Sequence, residues 1–422
     1  MLPILVTTLH RVSIVPITVL CVWGLSAARG AGLNELDTQD RARPVLLLAY
    51  DNSGDFGPQT AGTKTAGWQE ALDACVRQAR DLYVKGGYGG TKAIYHVTET
   101  IRFPPAQDFR VDGGVYVVNW QGPADKDLMV IDSSMNCEYH LGILVYGGLG
   151  AALRVRPEKP VPVDNFPVMV ESKIEIEGLA DPHPFTPGER KGGTGLVLDG
   201  SRAAIMHSVF YFASVINFRT CIETVGGFSY NEFKCPHLHS NADQSTLFRI
   251  GEGSFGNRLQ LTIGVDQGAK AVTGVVLGGR RNTVELAKRE SNAPFSRGRA
   301  LIFADTAEGN QVNWTDADLI DLTETITDSA RVPSNQVTWS GPTLPIKTIQ
   351  VTGEKFIYTQ RLYPATVRVN TGMVTNAILV RDSTRVDCTK AIGTGVLLSV
   401  GDRLELGDSN PALLQVIPLK TR

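Results

Sequence analysis

The sequence has almost no net charge, few cysteines and no long apolar run beyond its N-terminal segment. Its 41 basic and 43 acidic side chains give a formal net charge of −2, which excludes a polybasic nucleic-acid binder and an acidic disordered tail. No Cys-x-x-Cys pair or Cys/His spacing typical of a metal site occurs. No later stretch reaches the roughly 20 apolar residues of a transmembrane helix. We therefore expect no stable membrane insertion once the N-terminal segment is removed.

Short catalytic motifs are also missing. The sequence contains no phosphate-binding glycine loop, no nucleophile elbow and no dinucleotide fingerprint. Apolar residues make up 42% of the chain and charged residues 20%, which is enough for a packed core and argues against wholesale disorder. The 43 glycines and 22 prolines favour a turn-rich, mostly β chain over a helical one.

Residues 1–30 have the pattern of a signal peptide. A short basic segment ends at Arg11, an apolar run extends from Val12 to Leu25, and small residues follow. The segment predicts a secreted, periplasmic or cell-surface protein, and the alternative is an uncleaved membrane anchor. Cys21 lies inside this segment and the other five cysteines follow it, so at least one thiol of the mature chain is unpaired. A disulfide between Cys221 and Cys235, which lie near each other in the sequence, is an open alternative.

The main positive feature is a repeat of about 25 residues, anchored on asparagine. Its members follow one another at nearly equal intervals: Asn231, Asn257, Asn282, Asn310 and Asn335. Apolar side chains follow two and four positions after each asparagine, which is the alternation of a half-buried strand. A second strand pattern with the same period begins at these residues: Gly195, Thr220, Thr246, Gly274 and Ala300.

Two strand patterns with one period predict an all-β chain that forms a parallel β-helix, in which stacked coils supply the core. The asparagine suits a tight turn, where it tolerates the left-handed conformation and where stacked amides can hydrogen-bond. The alternative fold is an array of antiparallel β-sandwiches. We expect the β-helix over 91–341, an excursion from it at about 151–194, and a small antiparallel β-sandwich over 342–422.

A helix is predicted within the N-terminal segment 31–90. The run Thr65–Val76 has helical periodicity, with Trp68, Leu72, Cys75, Val76 and the following Ala79 on one face. Such a helix would cover the open end of the β stack.

The order of these segments resembles the pectate lyase superfamily, including its tailspike-like and polygalacturonase-like β-helices. Those chains open with an Asp-aromatic-Gly segment, a Thr-Ala-x-x-Gln-x-Ala-Leu-Asp-Ala helix and a Gly-Gly-x-x-Tyr strand. The counterparts here are Tyr50–Gly54, Thr65–Ala74 and Gly89–Tyr95. The resemblance implies a right-handed parallel β-helix with an N-terminal capping helix, an external groove for polysaccharide and, by analogy with tailspikes, a homotrimer. The Asn-Thr-Asp, Gly-His-Gly and Arg-Ile-Lys runs of polygalacturonases are absent, so no catalytic residue is carried over.

The repeat predicts which side chains face outward. Positions one and three after each asparagine should form a polar patch of mixed charge, and the candidate catalytic residues in it are Glu232, Lys234, Arg258 and Glu285. Candidate substrate-binding residues are Gln260, Lys288 and Arg289. The patch predicts no resident metal site, and Ca²⁺ is the alternative, with Glu232 and Glu285 as its ligands.

Three interpretations of this patch stay open. In a lyase acting on a uronic acid, Lys234 or Arg258 would supply the base and the cation beside the carboxylate. In a glycosidase, Glu232 and Glu285 would form the carboxylate pair. The third is an ordinary solvated sheet face with cross-strand ion pairs. The sequence thus predicts a secreted protein that recognises and cleaves a polysaccharide, with a non-catalytic adhesin or structural surface protein as the rival.

Overall fold

The computed structural model describes residues 44–87, 93–162, 165–182, 192–265, 269, 271–288, 299–315, 326–340 and 346–419. The predicted signal peptide lies outside these residues. Within them the chain is nearly all β and forms a parallel β-helix of about eight turns, as the repeat predicts. No helix in this part of the chain is both long and apolar enough to span a membrane.

Two parallel sheets run along the stack. We call the first sheet the one that contains the strand after each asparagine. Its described strands are Val45–Leu48, Asp81–Val84, Ile94–Val97, Arg110–Gly113, Val117–Trp120, Glu138–Val145, Lys173–Ala180, Val209–Phe212, Val215–Ile216, Glu232–Ser240, Arg258–Val265, Thr283–Lys288, Gln311–Trp314 and Gln336–Trp339.

The second sheet contains the other strand of each coil. Its described strands are Ile101–Phe103, Ala106–Gln107, Met129–Ile131, Ser134–Met135, Ala151–Val155, Met169–Val170, Thr194–Met206, Thr220–Ser229, Thr246–Ile250, Ser254–Phe255, Thr273–Leu277, Arg299–Phe303 and Ile326–Asp328. Side chains of both sheets that point between them form one continuous core. Trp314 and Trp339 belong to that core, as their places in the repeat predict.

The repeated asparagines form a buried ladder at the turn from the second sheet to the first. Each of Asn231, Asn257, Asn282 and Asn310 donates its backbone N–H and its side-chain amide to the Oδ1 of the next asparagine. The left-handed residue of the turn, however, is the one before the asparagine. Tyr230, Gly256, Arg281 and Gly309 have φ of 56°, 65°, 53° and 63°. The predicted left-handed asparagine is therefore wrong, because its amide must point into the core to bond the next coil.

The predicted capping helix is present and covers residues Trp68–Gln78. Its buried face consists of Trp68, Ala71, Leu72, Ala74 and Cys75. Val76 is 39% exposed, so the predicted face is rotated by part of a turn from the observed one. The helix closes the N-terminal end of the stack because Trp68 inserts among the rings of the first coils.

The segment predicted as an excursion contributes three strands to the stack. Ala151–Val155 and Met169–Val170 belong to the second sheet, and Lys173–Ala180 belongs to the first. The turn ladder also continues through this region with smaller side chains. Ser172 and Ser208 take the place of asparagine, and their hydroxyls accept the N–H of the preceding coil. The period is hidden in the sequence here because the asparagine marker is absent.

The C-terminal residues form an antiparallel domain, as predicted. Its strands are Lys347–Thr359, Ala365–Thr371, Val374–Arg381, Thr384–Asp387, Val396–Leu398 and Arg403–Pro418. The last strand is shared by two halves, since its beginning pairs with Val374–Arg381 and its end with Ala365–Thr371. One buried cluster draws side chains from both halves, which gives the domain its own small core.

All five described cysteines, Cys75, Cys137, Cys221, Cys235 and Cys388, are buried free thiols. The alternative of a disulfide between Cys221 and Cys235 is therefore not realised in the structure. Burial raises the pKa of the Cys75 and Cys235 thiols to about 12. At neutral pH both thiols are protonated core side chains and not nucleophiles.

Candidate functional site

The outer face of the first sheet carries two rows of solvent-facing side chains. We call the row nearer the asparagine turn the turn-side row and the next one the mid-strand row. Strand register stacks the mid-strand row from coil to coil as Tyr83, Asp112, His140, Glu175, Tyr211, Lys234, Gln260, Glu285, Asn313 and Thr338. Every member carries a hydrogen-bonding group, and every member is at least partly exposed.

The structure brings three of the predicted site residues together. Arg258 Nη2 lies 3.4 Å from Glu285 Oε1, and Gln260 Nε2 donates to Glu285 Oε2 over 2.8 Å. Both oxygens of the Glu285 carboxylate thus face a donor from the neighbouring coil. This is the mixed-charge contact that the repeat predicts, and the Arg258 side chain is 61% exposed.

The predicted carboxylate pair is not brought together in the same way. Glu232 is in register with Arg258, and the strand of Arg258 separates it from the strand of Glu285. Two strand spacings and two residues along the strand put the two Cα atoms about 12 Å apart. A glycosidase needs about 5–10 Å between the carboxyl groups themselves, which a Cα separation does not measure. The catalytic roles of Glu232 and Glu285 stay predictions.

The remaining candidates lie around this contact. Lys234 is exposed and stands in register with Gln260. Lys288 ends the strand Thr283–Lys288, with its Cα opposite that of Ile263. Arg289 lies outside the described residues. Within the described residues no group of three or more His, Cys, Asp or Glu is arranged to hold a metal ion, and Ca²⁺ binding stays a prediction.

A second cluster in the mid-strand row was missed by the sequence analysis. His140 lies between two carboxylates, with Nδ1 at 3.4 Å from Asp112 Oδ1 and Nε2 at 3.0 Å from Glu175 Oε2. Arg110 Nη2 approaches Asp112 Oδ2 at 3.4 Å, and Lys173 Nζ approaches Glu175 Oε1 at 2.7 Å. The ring is 27% exposed. Five charged or titratable groups from three neighbouring coils therefore meet at one place on the sheet.

The signal for this cluster was present but hard to read. The segments Glu138–Leu141 and Lys173–Ile176 alternate polar and apolar residues as the later coils do. Their turn positions carry Cys137 and Ser172 in place of asparagine, and this kept them out of the repeat. Aligning these small residues with the asparagine ladder would have placed His140 beside Glu175.

The second sheet differs on its outer face. Its central outward row, in register from coil to coil, is Arg102, Val130, Arg154, Val197, Glu223, Arg249, Val276, Ile302 and Thr327. Four of these nine side chains are aliphatic, so polar groups are interrupted along the row. An unbroken polar row is a property of the first sheet.

No protein-family model and no curated protein sequence matches the chain. Among solved structures it is similar to phage tailspike proteins. The Dettilon tailspike protein has a TM-score of 0.36 and 8% identity, over 88% of this chain and 94% of that one. The tailspike protein of an Acinetobacter phage has a TM-score of 0.27 and 10% identity, over 86% of this chain and 85% of that one. A mutant tailspike protein of E. coli bacteriophage HK620, solved with a pentasaccharide, has a TM-score of 0.21 and 10% identity, over 86% and 90%. At such scores the likeness carries no conclusion about function.

Proposed function

We propose that this protein binds an extended polysaccharide along the outer face of the first sheet. The observation that carries the proposal is the unbroken mid-strand row from Tyr83 to Thr338. Its ten members lie on ten adjacent strands and cover nine strand spacings, or about 43 Å. Donors and acceptors at a constant interval on a flat surface match a polymer whose polar groups also recur at a constant interval.

The polar contacts along the row favour binding over catalysis. Glu285 is held by Arg258 and Gln260, and the two nitrogens of His140 face the carboxylates of Asp112 and Glu175. Side chains fixed by their neighbours form a preorganised surface, which lowers the conformational entropy that a ligand must remove on binding. The hydroxyl groups of a bound polysaccharide then replace water molecules on this surface.

Hydrolysis of the bound polymer is the second candidate, and one observation favours it. Asp112 and Glu175 approach opposite nitrogens of one imidazole from strands two apart. Carboxylates separated by about 6.5–9.5 Å suit an inverting glycosidase, in which one protonates the leaving oxygen while the other activates water. Each carboxylate here also faces a cation, Arg110 or Lys173.

Export belongs to the same proposal. A polysaccharide ligand of this length is found at cell surfaces, and residues 1–30 have the pattern of a signal peptide. We propose a secreted, periplasmic or surface-exposed location on that basis. The homotrimer implied by the resemblance stays a prediction.

A binding experiment with matched double variants tests the proposal. Arg258→Ala/Glu285→Ala removes an ion pair with a 3.4 Å contact from the first sheet. The control Glu223→Ala/Arg249→Ala removes a similar pair, at 3.7 Å, from the second sheet. On a glycan array followed by titration, we expect the first-sheet variant to weaken binding about tenfold or more. The control should bind within twofold of the unmodified protein, and equal losses in the two variants would contradict the proposal.

A turnover assay separates binding from cleavage. The purified protein is incubated with uronic and neutral polysaccharides while reducing ends and ultraviolet absorbance are followed. If the unmodified protein releases reducing ends and Glu175→Gln still binds the polymer but releases none, the protein is a hydrolase centred on His140. A binding protein should retain glycans and produce neither reducing ends nor ultraviolet absorbance.

A further inference from the structure

The imidazole of His140 faces a carboxylate on each side. His140 lies on the strand Glu138–Val145, and the two strands paired with it in this region carry Asp112 and Glu175. Its Nδ1 lies 3.4 Å from Asp112 Oδ1, and its Nε2 lies 3.0 Å from Glu175 Oε2. Each ring nitrogen therefore approaches an oxygen atom of a different carboxylate.

A neutral imidazole does not satisfy both contacts. It carries one N–H and one lone pair, so one of the two carboxylates would face a lone pair at 3.0 or 3.4 Å. An imidazolium donates from both nitrogens and makes both contacts attractive. A proton on one of the carboxylates would remove the repulsion as well. In either form, the observed arrangement of the three side chains is favourable only when the group holds one additional proton.

The charged neighbours of the cluster leave room for this proton. Arg110 and Lys173 approach the two carboxylates at 3.4 and 2.7 Å, and Glu138 lies 3.5 Å from Arg110 Nε. Glu177 is further along the strand of Lys173, and the strand Val117–Trp120 contributes no charged side chain. The groups in contact are three carboxylates and two cations, so a proton on the imidazole brings their summed charge to zero.

The proton decides whether the polar contacts are continuous. When it is bound, contacts run from Arg110 through Asp112, His140 and Glu175 to Lys173, across three neighbouring strands. When it is lost, one of the two contacts of the ring becomes repulsive, and the carboxylate concerned gains by turning toward water. The ring is 27% exposed, so water reaches the cluster without unfolding of the coils.

The geometry points to a proton-binding site, formed by Asp112, His140 and Glu175, that makes the polysaccharide-binding face sensitive to pH. With the proton, this part of the mid-strand row is preorganised for a ligand. Without it, the row is broken and carries an added negative charge. Affinity is therefore higher at acidic pH and falls as the pH rises through the range in which histidine titrates. The inference rests on the proposed function and adds regulation of the same face.

Unfolding in the absence of any glycan tests the proton site itself. If the folded chain binds more protons than the unfolded one, its stability falls as the pH rises. Between about pH 5 and pH 8, the thermal midpoint of the unmodified protein should fall by about 2 °C more than that of His140→Gln. Glu175→Gln, which removes one carboxylate and with it the need for the proton, should follow the profile of His140→Gln.

His96→Gln is the matched control. His96 is exposed on the same sheet, and its Nδ1 meets Asn119 Nδ2 at 3.3 Å and Gln121 Nε2 at 2.9 Å. Both neighbours are amides and not carboxylates, so the pH profile of His96→Gln should match that of the unmodified protein. The proposal is overturned if the His140→Gln profile matches it too.

A binding measurement separates this regulation from the proposed function. The probe is the glycan with the highest signal on the array. The unmodified protein should bind it about fivefold more weakly at pH 8 than at pH 5, and His140→Gln should bind it equally at both. Affinity that is independent of pH in the unmodified protein refutes the regulation and leaves the proposed function standing. If no glycan binds, the proposed function fails, and the unfolding profiles alone decide on the proton site.

Discussion

At the scale of single residues, the asparagine ladder is the contact that repeats most regularly. Asn257 accepts from the backbone N–H and the side-chain amide of Asn231 through Oδ1. Its own amide donates to the Phe228 carbonyl and to Asn282 Oδ1. The side chain is 2% exposed. One residue thus satisfies buried polar groups in three consecutive coils.

Replacing Asn257 by alanine should destabilise the protein strongly. Asn257→Ala removes the acceptor of the Asn231 backbone N–H and amide and the donor to the Phe228 carbonyl, and such buried groups cost about 1–3 kcal/mol each when unpaired. Asn282 Oδ1 still accepts the backbone N–H of residue 257. Allowing for relaxation, we expect a loss of about 3 kcal/mol in the free energy of unfolding, measured by urea titration.

Asn313→Ala is the control for this substitution. Asn313 is exposed in the mid-strand row and accepts one hydrogen bond, from Thr338 Oγ1 at 3.2 Å. Its loss should change the free energy of unfolding by less than about 0.5 kcal/mol. Similar effects of the two substitutions would show that burial of the ladder is not the source of its stability.

The sequence predicted the ladder but not the backbone around it. Asparagine in a repeated turn has two physical uses, a left-handed backbone and a hydrogen-bonding amide, and the spacing alone does not separate them. The structure uses the amide in Asn231 and places the strain on Tyr230. A choice between the two needs the position of the neighbouring coil, which is information of tertiary structure.

At the scale of elements, the helix Trp68–Gln78 closes the β stack. Trp68 is fully buried, with its ring 5.9 Å from that of Tyr95, 5.7 Å from that of Tyr116 and 6.4 Å from that of Phe103. Without this lid, the core side chains and strand edges of the first coils would be open to other molecules.

Trp68→Ala should therefore both destabilise the protein and promote self-association. Truncating a buried tryptophan removes its contacts and leaves a cavity, at a cost of about 3–5 kcal/mol. We expect a lower midpoint in thermal unfolding and aggregates in light scattering below that midpoint. Val76→Ala, on the 39% exposed side of the same helix, should change neither. A Trp68→Ala protein that stays monomeric and melts at the unchanged midpoint would refute the capping role.

The helix also shows the limit of periodicity as a guide. The sequence indicated its presence and one buried stripe, because apolar residues recur at helical spacing. Ala71 and Ala74 are buried and Val76 is exposed, because the two alanines lie on the side of the helix that carries Trp68 and Cys75, whereas Val76 lies at its edge. Hydrophobicity alone would have placed the valine inside before the alanines.

At the scale of the whole molecule, the repeat predicted the β-helix because one physical requirement, burial of a coil against its neighbours, recurs along the chain. It predicted the contact of Arg258 with Glu285 for the same reason. The His140 cluster lies in coils where Ser172 and Cys137 replace asparagine. It is a product of stacking that a single coil does not display.

The junction between the β-helix and the C-terminal domain supplies the last prediction. Arg361 Nη1 lies 3.1 Å from Asp328 Oδ2 and donates to the Ala330 carbonyl over 2.9 Å. The Asp328 side chain is 7% exposed, so Arg361→Ala leaves a nearly buried carboxylate without its cation. We expect the free energy of unfolding of the C-terminal domain to fall by about 2 kcal/mol, less than for a fully buried pair because Arg361 is partly exposed. The C-terminal domain should then unfold before the β-helix.

Differential scanning calorimetry measures this directly. The unmodified protein should unfold with the domain coupled to the last coil, and Arg361→Ala should add an earlier transition. Arg331→Ala is the matched control, since Arg331 is 77% exposed and pairs with Asp305 at 2.8 Å in the same region. An exposed pair of this kind contributes about 0–1 kcal/mol, so the calorimetric trace of Arg331→Ala should match that of the unmodified protein. If both variants unfold as the unmodified protein does, the junction is held by Trp339 and Tyr363, whose rings lie 5.6 Å apart, and not by the ion pair.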